Sequence, residues 1–225
     1  MLSLILFDLD ETLYPRSAAL MKEITGRIQQ YLIDKMGVPV AEAAALRTRF
    51  RGTYGTALRG LMEEGYAVDL DDYFTYVHDI ELNGRILPDP ALRDMLMALP
   101  LRRAILTNSN IEHAERILAH MGIRDCFEAV IDIKALNFKN KPAPESYALA
   151  MEMLGVQPHE VIFVEDSPMN TIPARALGMT TVLIECERGD DADYYLDNIM
   201  EIGPLVTRLV DTETVQETGD DPLRH

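Results

Sequence analysis

Short apolar runs alternate with amphipathic stretches along most of the chain, and this alternation predicts an α/β fold. The apolar run Leu2–Phe7 ends directly in acidic residues, as expected of a central parallel strand that is buried on both faces. Four more short runs rich in valine and isoleucine predict strands at Arg103–Leu106, Ala129–Ile133, Val161–Val164 and Thr181–Ile184. Between them, helical patterns that each end at a glycine cover Ile111–Met121, Pro144–Leu154 and Pro173–Leu177. Strands and helices that alternate in this way predict a doubly wound parallel sheet.

The stretch after the first strand breaks that rhythm. Residues 16–85 contain no convincing strand and read as helices at Ala18–Lys35, Ala41–Arg51, Thr56–Glu64 and Asp71–Ile80. We therefore predict an inserted helical domain over 16–85 and a sheet domain made of 1–15 and 86–210. The polar and acidic residues 211–225 predict a flexible tail.

Composition narrows the range of partners. The chain of 225 residues carries 37 acidic against 21 basic side chains, a formal net charge of -16. Such a charge repels nucleic-acid polymers and anionic membranes, although a local positive site can still bind a small phosphate ester. We find no signal peptide, no apolar run long enough to span a bilayer and no metal-type spacing of Cys126 and Cys186. These features favour a cytoplasmic protein with reduced thiols, either a monomer or a homodimer.

Candidate chemistry follows the predicted strands. Asp8 and Asp10 follow the first strand, and Thr107 and Asn108 follow the strand at Arg103–Leu106. Glu165 and Asp166 follow the predicted strand Val161–Val164, and Lys141 lies in a loop before a predicted helix. We call these seven residues, from Asp8 to Asp166, the constellation residues. Because the carboxyl ends of parallel strands meet at one edge of the sheet, we expect these side chains to converge.

Converging carboxylates need a cation. Two like charges 4 Å apart repel by about 4 kcal/mol at an effective dielectric near 20, and Mg²⁺ prefers hard oxygen ligands such as these. With a metal bound, Asp8 can approach a phosphate while Thr107 and Lys141 hold the other phosphate oxygens. Asp10 is then placed to protonate the leaving oxygen and to activate water.

Four motifs carry a family resemblance. FDLDET, TNSN, KPAPE and VEDSPMN resemble, in order and spacing, the motifs of the haloacid dehalogenase (HAD) superfamily, subfamily I, with a Rossmann-like core and a helical cap. The resemblance implies that Asp8 forms an aspartyl-phosphate and that Asp10 is the general acid and base. It further implies that Thr107, Asn108 and Lys141 bind phosphate. Asp8, Asp10 (through its backbone carbonyl) and Asp166 would hold Mg²⁺. In the fourth motif Asn170 replaces a second aspartate that many relatives carry.

A narrower resemblance bears on the substrate. DETLYP, TYGTALRGLMEEG and YVHDI are similar to the pyrimidine 5′-nucleotidase branch of the superfamily. This implies hydrolysis of UMP or CMP, and we nominate Tyr54, Arg59 and His78 as cap residues that contact the substrate. His113 and His120 lie seven apart on one predicted helix, and we expect both to be exposed.

Other functions remain open. The substrate could be a sugar phosphate, FMN or pyridoxal phosphate, or the enzyme could be a phosphotransferase like β-phosphoglucomutase. A dehalogenase is disfavoured because that reaction has no use for the carboxylate of Asp10. A receiver domain is disfavoured by the acid pair on the first strand and by the insertion that follows it. A catalytically silent binding protein is disfavoured because every catalytic position is filled.

Overall fold

The core of the protein is a parallel sheet of six strands. The computed structural model describes residues 1–218, and their side chains as far as residue 212. The strands lie in the order β3-β2-β1-β4-β5-β6, and each neighbouring pair is parallel. They are β1 (Leu4–Phe7), β2 (Arg102–Leu106), β3 (Ala129–Ile131), β4 (Val161–Glu165), β5 (Thr180–Ile184) and β6 (Tyr194–Leu196).

β1 lies in the middle of the sheet, and all four of its residues are buried. Ile5 and Phe7 pack into the core on one face, whereas Leu4 and Leu6 pack into a second core on the other. Successive side chains of a strand point to opposite faces, so a strand covered on both faces must be apolar throughout. The predicted doubly wound sheet with a central first strand is therefore confirmed.

Helices cover both faces of the sheet. One core includes residues of α5, α6 and α9, and the other includes residues of α7 and α8. The helices are α1 (Leu20–Asp34), α2 (Val40–Tyr54), α3 (Ala57–Glu63), α4 (Leu70–His78), α5 (Pro90–Ala98), α6 (Ile111–Met121), α7 (Pro144–Leu154), α8 (Pro168–Ala176) and α9 (Ile202–Thr218), with 3₁₀ turns at Arg16–Ala18, Arg124–Cys126, Pro158–Glu160 and Ile199–Glu201.

The four helices α1–α4 form a helical insertion between β1 and β2, with a core of its own. Tyr31, Phe50, Leu61 and Phe74 are buried together there. Arg85 joins the two connections between the insertion and the sheet domain. Its guanidinium donates to the carbonyl oxygens of Ala18 (3.0 Å) and Ala19 (2.6 Å) and forms an ion pair with Glu23.

Several elements differ from the sequence prediction. α8 begins at Pro168 rather than Pro173, because Pro168 occupies the first turn, where a missing N–H costs no hydrogen bond, while Pro173 lies inside the helix. The short, half-buried edge strand β6 has no continuous apolar run and was not predicted. The first part of the tail predicted from residue 211 is helical, because α9 continues to Thr218. Residues 219–225 of that tail lie outside the described residues.

Two further features concern the state of the cysteines and the lengths of the helices. Cys126 is buried, Cys186 is partly buried, and both are free thiols. Within residues 1–218 we find no helix whose length and apolarity suit it to crossing a bilayer.

Two helical glycines allow a matched test of packing in the insertion. A Cβ at Gly60 in α3 would clash with the ring of Phe50, which is fully buried, whereas a Cβ at Gly26 in α1 would meet nothing within 4 Å. We expect Gly60→Ala to lower the free energy of unfolding by about 1–3 kcal/mol because of overpacking. Gly26→Ala should raise it by about 0.5–1 kcal/mol through helix propensity. Denaturant unfolding measures both; an unchanged stability in Gly60→Ala would contradict the packing described here.

Candidate active site

The predicted site residues meet in one cavity at the carboxyl edge of the sheet. The cavity has a volume of about 420 Å³ and lies between the sheet domain and the helical insertion. The ends of β1, β2 and β4 deliver its polar floor, and the loop before α7 adds one lysine. The constellation residues that line it are Asp8, Asp10, Thr107, Asn108, Lys141, Glu165 and Asp166.

Lys141 is the central cation of this floor and is only 1% exposed. Its Nζ lies 2.6 Å from Oδ1 of Asp8 and 2.8 Å from Oε2 of Glu165. Burial alone would lower the pKa of Lys141, but these two carboxylates raise it well above its ordinary value. The ammonium therefore stays charged and balances one of the two buried acids.

The carboxylates around Lys141 hold protons more tightly than ordinary acids. Burial raises the pKa of Asp8 to about 7, and the charge of Glu165 adds to the rise while Lys141 opposes it. Burial also raises the pKa of Glu165 to about 7 and that of Asp166 to about 6. Lys141 between Asp8 and Glu165, and the half-exposed Arg16 beside Asp166, are two cations for three acids, so the floor has a deficit of positive charge.

The same acids form a candidate metal centre. One oxygen from each of Asp8, Glu165 and Asp166 lies within 4.8 Å of the others. Hard carboxylate oxygens with a deficit of positive charge fit Mg²⁺ in charge and in donor type. Asp166 also accepts a bond of 2.9 Å from the half-exposed Arg16. Asn170 lines the same cavity four residues after Asp166.

Asp10 has a separate set of hydrogen-bond partners. Its Oδ1 accepts from the hydroxyl of Tyr14 at 2.7 Å and lies 3.0 Å from Nε2 of His113, while its Oδ2 accepts from the hydroxyl of Ser109 at 2.8 Å. Burial raises the pKa of Asp10, but His113, Tyr14 and Ser109 together lower it well below the ordinary value. The pKa values of Asp8 and Asp10, which are two residues apart, are therefore shifted in opposite directions.

The expectation that His113 is exposed was wrong. Its side chain is fully buried against Asp10. It belongs to the buried stripe of α6, with Ala114, Ile117 and Met121. Residues three and four apart share one helix face, so this spacing was the signal in the sequence that could have placed His113 inside. His120, by contrast, is half-buried and bonds to the carbonyl of Ile86 at 3.1 Å.

The two predicted phosphate ligands from β2 differ in their surroundings. Thr107 is buried, and its hydroxyl accepts from the N–H of Ser109 at 3.0 Å. The amide of Asn108 is bonded in both directions to the backbone of Lys141, at 2.9 and 3.0 Å. The Asn108 side chain therefore fixes the loop that carries Lys141, and Thr107 faces the cavity.

Of the three nominated cap residues, only His78 lines this cavity. Its ring stacks on His113 with 4.2 Å between centroids, and burial and His113 lower its pKa to about 3. Tyr54 and Arg59 line a separate cavity of about 270 Å³. Arg59 donates to the carbonyl of Phe138 at 3.0 Å and forms an ion pair with Glu63.

The placement of Tyr54 and Arg59 has a local cause. The turn at Gly55, with φ of 83°, packs so closely on the loop of Asn140 and Pro142 that a Cβ would clash with both. Asn140 also donates to the carbonyl of Tyr54 at 2.9 Å. The turn is docked on the loop, and this docking directs Tyr54 away from the floor of the site.

The helical insertion contributes other residues that the sequence did not single out. Arg47 and Arg51 from α2 line the cavity. They lie one helical turn apart, and this spacing was the available signal. An apolar wall completes this side and is formed by Met21, Ile24, Ile28, Leu58, Phe74 and Val77.

Comparison with known proteins bears on the family of the chain. A family model described as haloacid dehalogenase-like hydrolase matches residues 2–178. The (S)-2-haloacid dehalogenase of Xanthobacter autotrophicus is 32% identical over 142 residues, which are 62% of this chain and 56% of that protein. The phosphoglycolate phosphatase of Rhodospirillum rubrum is 27% identical over 193 residues, 80% of this chain and 78% of that protein.

A solved structure supports the fold. The crystal structure of a HAD phosphatase from Thermococcus onnurineus superposes with a TM-score of 0.60 at 22% identity, covering 92% of this chain and 98% of that one. The matches cover only 56%, 64% and 42% of the length of three curated relatives. The family match nevertheless extends over more than half of the chain and includes all four motifs. The chain therefore belongs to the haloacid dehalogenase-like hydrolases.

Proposed function

We propose that the protein is a magnesium-dependent phosphomonoester hydrolase that works through an aspartyl-phosphate intermediate. The proposal rests on the different partners of the two aspartates. Asp8 lies against Lys141. Asp10 is instead bonded to three side chains, those of His113, Tyr14 and Ser109. A nucleophile needs a cation nearby that can also hold the phosphate, and a proton-transfer group needs hydrogen-bond partners that orient it; Asp8 and Asp10 have these respectively. A relative named phosphoglycolate phosphatase supports the same chemistry.

The two half-reactions divide between these acids. The Asp8 carboxylate attacks phosphorus, the bond from phosphorus to the ester oxygen breaks, and Asp10 gives its proton to the leaving oxygen. Asp10 then takes a proton from water, whose oxygen attacks phosphorus and releases phosphate and free Asp8. The low pKa keeps Asp10 ionised in the free enzyme, while a phosphate dianion nearby favours the protonated form that the first half-reaction needs.

The remaining residues hold the substrate and the metal. Lys141 and the Thr107 hydroxyl would bind the phosphate oxygens that carry charge in the transition state. Asp8, Asp166 and the backbone carbonyl of Asp10 would hold Mg²⁺, with Glu165 beside them. The ion, when bound, supplies positive charge that offsets the carboxylates and the phosphate.

The substrate is the finer part of the proposal. The sequence resemblance predicts pyrimidine nucleoside 5′-monophosphates, but two of the three residues nominated to contact them, Tyr54 and Arg59, line the separate cavity. Sugar phosphates, FMN, pyridoxal phosphate and phosphoglycolate therefore belong in the same test, as does a sugar phosphomutase assay.

A dehalogenase is the second candidate, because the (S)-2-haloacid dehalogenase of Xanthobacter autotrophicus is 32% identical over 142 residues. Attack of an aspartate on carbon, however, gives no role to Asp10 and its three hydrogen-bond partners. Halide release from 2-chloropropionate separates the two reactions.

Phosphate release from the ester panel, with and without Mg²⁺, tests the reaction itself. We expect turnover of at least one ester only with Mg²⁺. Asp8→Asn should lower kcat by about 10³-fold or more, because it removes the nucleophile, and Asp10→Asn by about 10²-fold or more. Asp71→Asn, whose side chain is 92% exposed, is the matched control. Halide release without phosphate release, or full activity in Asp8→Asn with unchanged thermal unfolding, would overturn the assignment.

The role of His113 can be tested through the pKa of Asp10. Because His113 lowers the pKa of Asp10, His113→Gln should raise it. We expect a carboxyl ¹³C NMR titration to show Asp10 titrating at higher pH in His113→Gln than in the wild type, and kcat to fall about tenfold or more because Asp10 loses a partner that orients it. His159→Gln removes an exposed histidine and should change neither quantity. An unchanged titration of Asp10 in His113→Gln would show that His113 does not act through Asp10.

Magnesium binding should depend on pH. In the metal-free protein the pKa values of Asp8 and Asp166 are about 7 and about 6. Raised carboxyl pKa values make the folded state lose stability as pH rises from about 4 to about 7. Mg²⁺ needs the ionised forms, so it should stabilise the protein more at pH 8 than at pH 5.5. Differential scanning fluorimetry measures the increment in Tm, and Asp166→Asn should reduce it. Equal increments at both pH values would contradict this metal site.

A further inference from the structure

The cavity is divided by charge. Among the described residues that line it, every acidic side chain belongs to the sheet domain or to the segment directly after β1. Apart from Lys141, its lysines and arginines all come from the helical insertion: Lys22 from α1, and Arg47 and Arg51 from α2. In a chain with a net charge of -16 this cluster of cations is conspicuous.

These cations lack carboxylate partners of their own. Within the described part of the chain, neither Arg47 nor Arg51 has a carboxylate oxygen within 4.0 Å. Arg51 exerts only a longer-range effect on Glu11, where burial is the larger influence on the pKa. By contrast Arg49, which lies between them in α2, forms an ion pair with Glu64.

Arg47 also has an unsatisfied hydrogen-bond donor. Its Nε is buried and has no hydrogen-bond partner. A buried donor without a partner costs free energy, and more so on a charged group. A guanidinium also presents its N–H groups in a planar fork that matches carboxylate and phosphate oxygens. The side chain is thus placed for a ligand oxygen that enters the cavity.

We propose that Arg47 and Arg51 form a second anion subsite, and that the substrate is a small phosphomonoester with a further anionic group, either a carboxylate or a second phosphate. This inference rests on the proposed function, because it takes the sheet side of the cavity as the phosphate end. The apolar wall of Leu58, Phe74 and Val77 lies on the same side as the arginines and suits a carbon linker between the two anions. A volume of about 420 Å³ is in the range of small-ligand sites.

Pairs of esters that differ only in the second anion test this. The first pair is 2-phosphoglycolate and 2-hydroxyethyl phosphate, and the second is propane-1,3-diol bisphosphate and 3-hydroxypropyl phosphate. We expect kcat/KM to be at least about tenfold higher for the anionic member of one pair, as charge-assisted hydrogen bonds to the guanidinium groups that line the cavity would give. The pair that shows the preference identifies the anion as a carboxylate or a phosphate.

Variants assign the preference to residues. Arg47→Gln and Arg51→Gln should each remove most of the preference while leaving kcat/KM for the neutral member within about threefold. Arg49→Gln removes the same charge from the same helix and should keep the preference. Equal kcat/KM for both members of both pairs in the wild-type enzyme would overturn the inference, as would parallel losses on both members in Arg47→Gln. Turnover of the neutral members in either case would leave the proposed phosphatase intact, whereas no turnover of any ester would refute that first.

Discussion

The arrangement of the site depends on one buried ammonium group. Lys141 lies between Asp8 and Glu165, which the neighbouring strands β1 and β4 bring side by side. Two buried carboxylates without that cation would repel each other and would both lose hydration. The lysine comes from a distant loop, which Asn108 ties to the end of β2. Docking of the loop and assembly of the three strands are therefore coupled through a single charge.

The same strand end holds two acids in opposite states. Burial, with the charge of Glu165, raises the pKa of Asp8 to about 7 against the effect of Lys141, whereas the donors around Asp10 keep its pKa low. This difference in pKa comes neither from the residue type nor from the strand itself. It arises because Asp8 faces β4 while Asp10 has turned toward α6, where His113 is buried. A spacing of two residues thus separates two chemical roles within one cavity.

Burial on both faces of the sheet explains which features the sequence could predict. The central strands were predictable because burial on both faces demands unbroken apolar runs, and the acids after β1 and β4 follow from where such strands end. Edge strand β6 lacks that demand, and the direction of Tyr54 depends on how Gly55 packs against a loop far away in the chain. The spacing of Arg47 and Arg51 places them on one helix face, but only the fold shows that this face lines the cavity while Arg49 is paired with Glu64.

Contacts of Arg85 and Gly55 attach the helical insertion to the sheet domain. Since its guanidinium bonds to Ala18 and Ala19, Arg85 fixes the two connections of the insertion to each other, and they pack with the core on one face of the sheet. The contact between Gly55 and Pro142 lies beside α7, which covers the opposite face. The insertion is therefore held at two places that lie toward opposite faces of the sheet: at its connections by Arg85, and at the loop that carries Lys141 by Gly55.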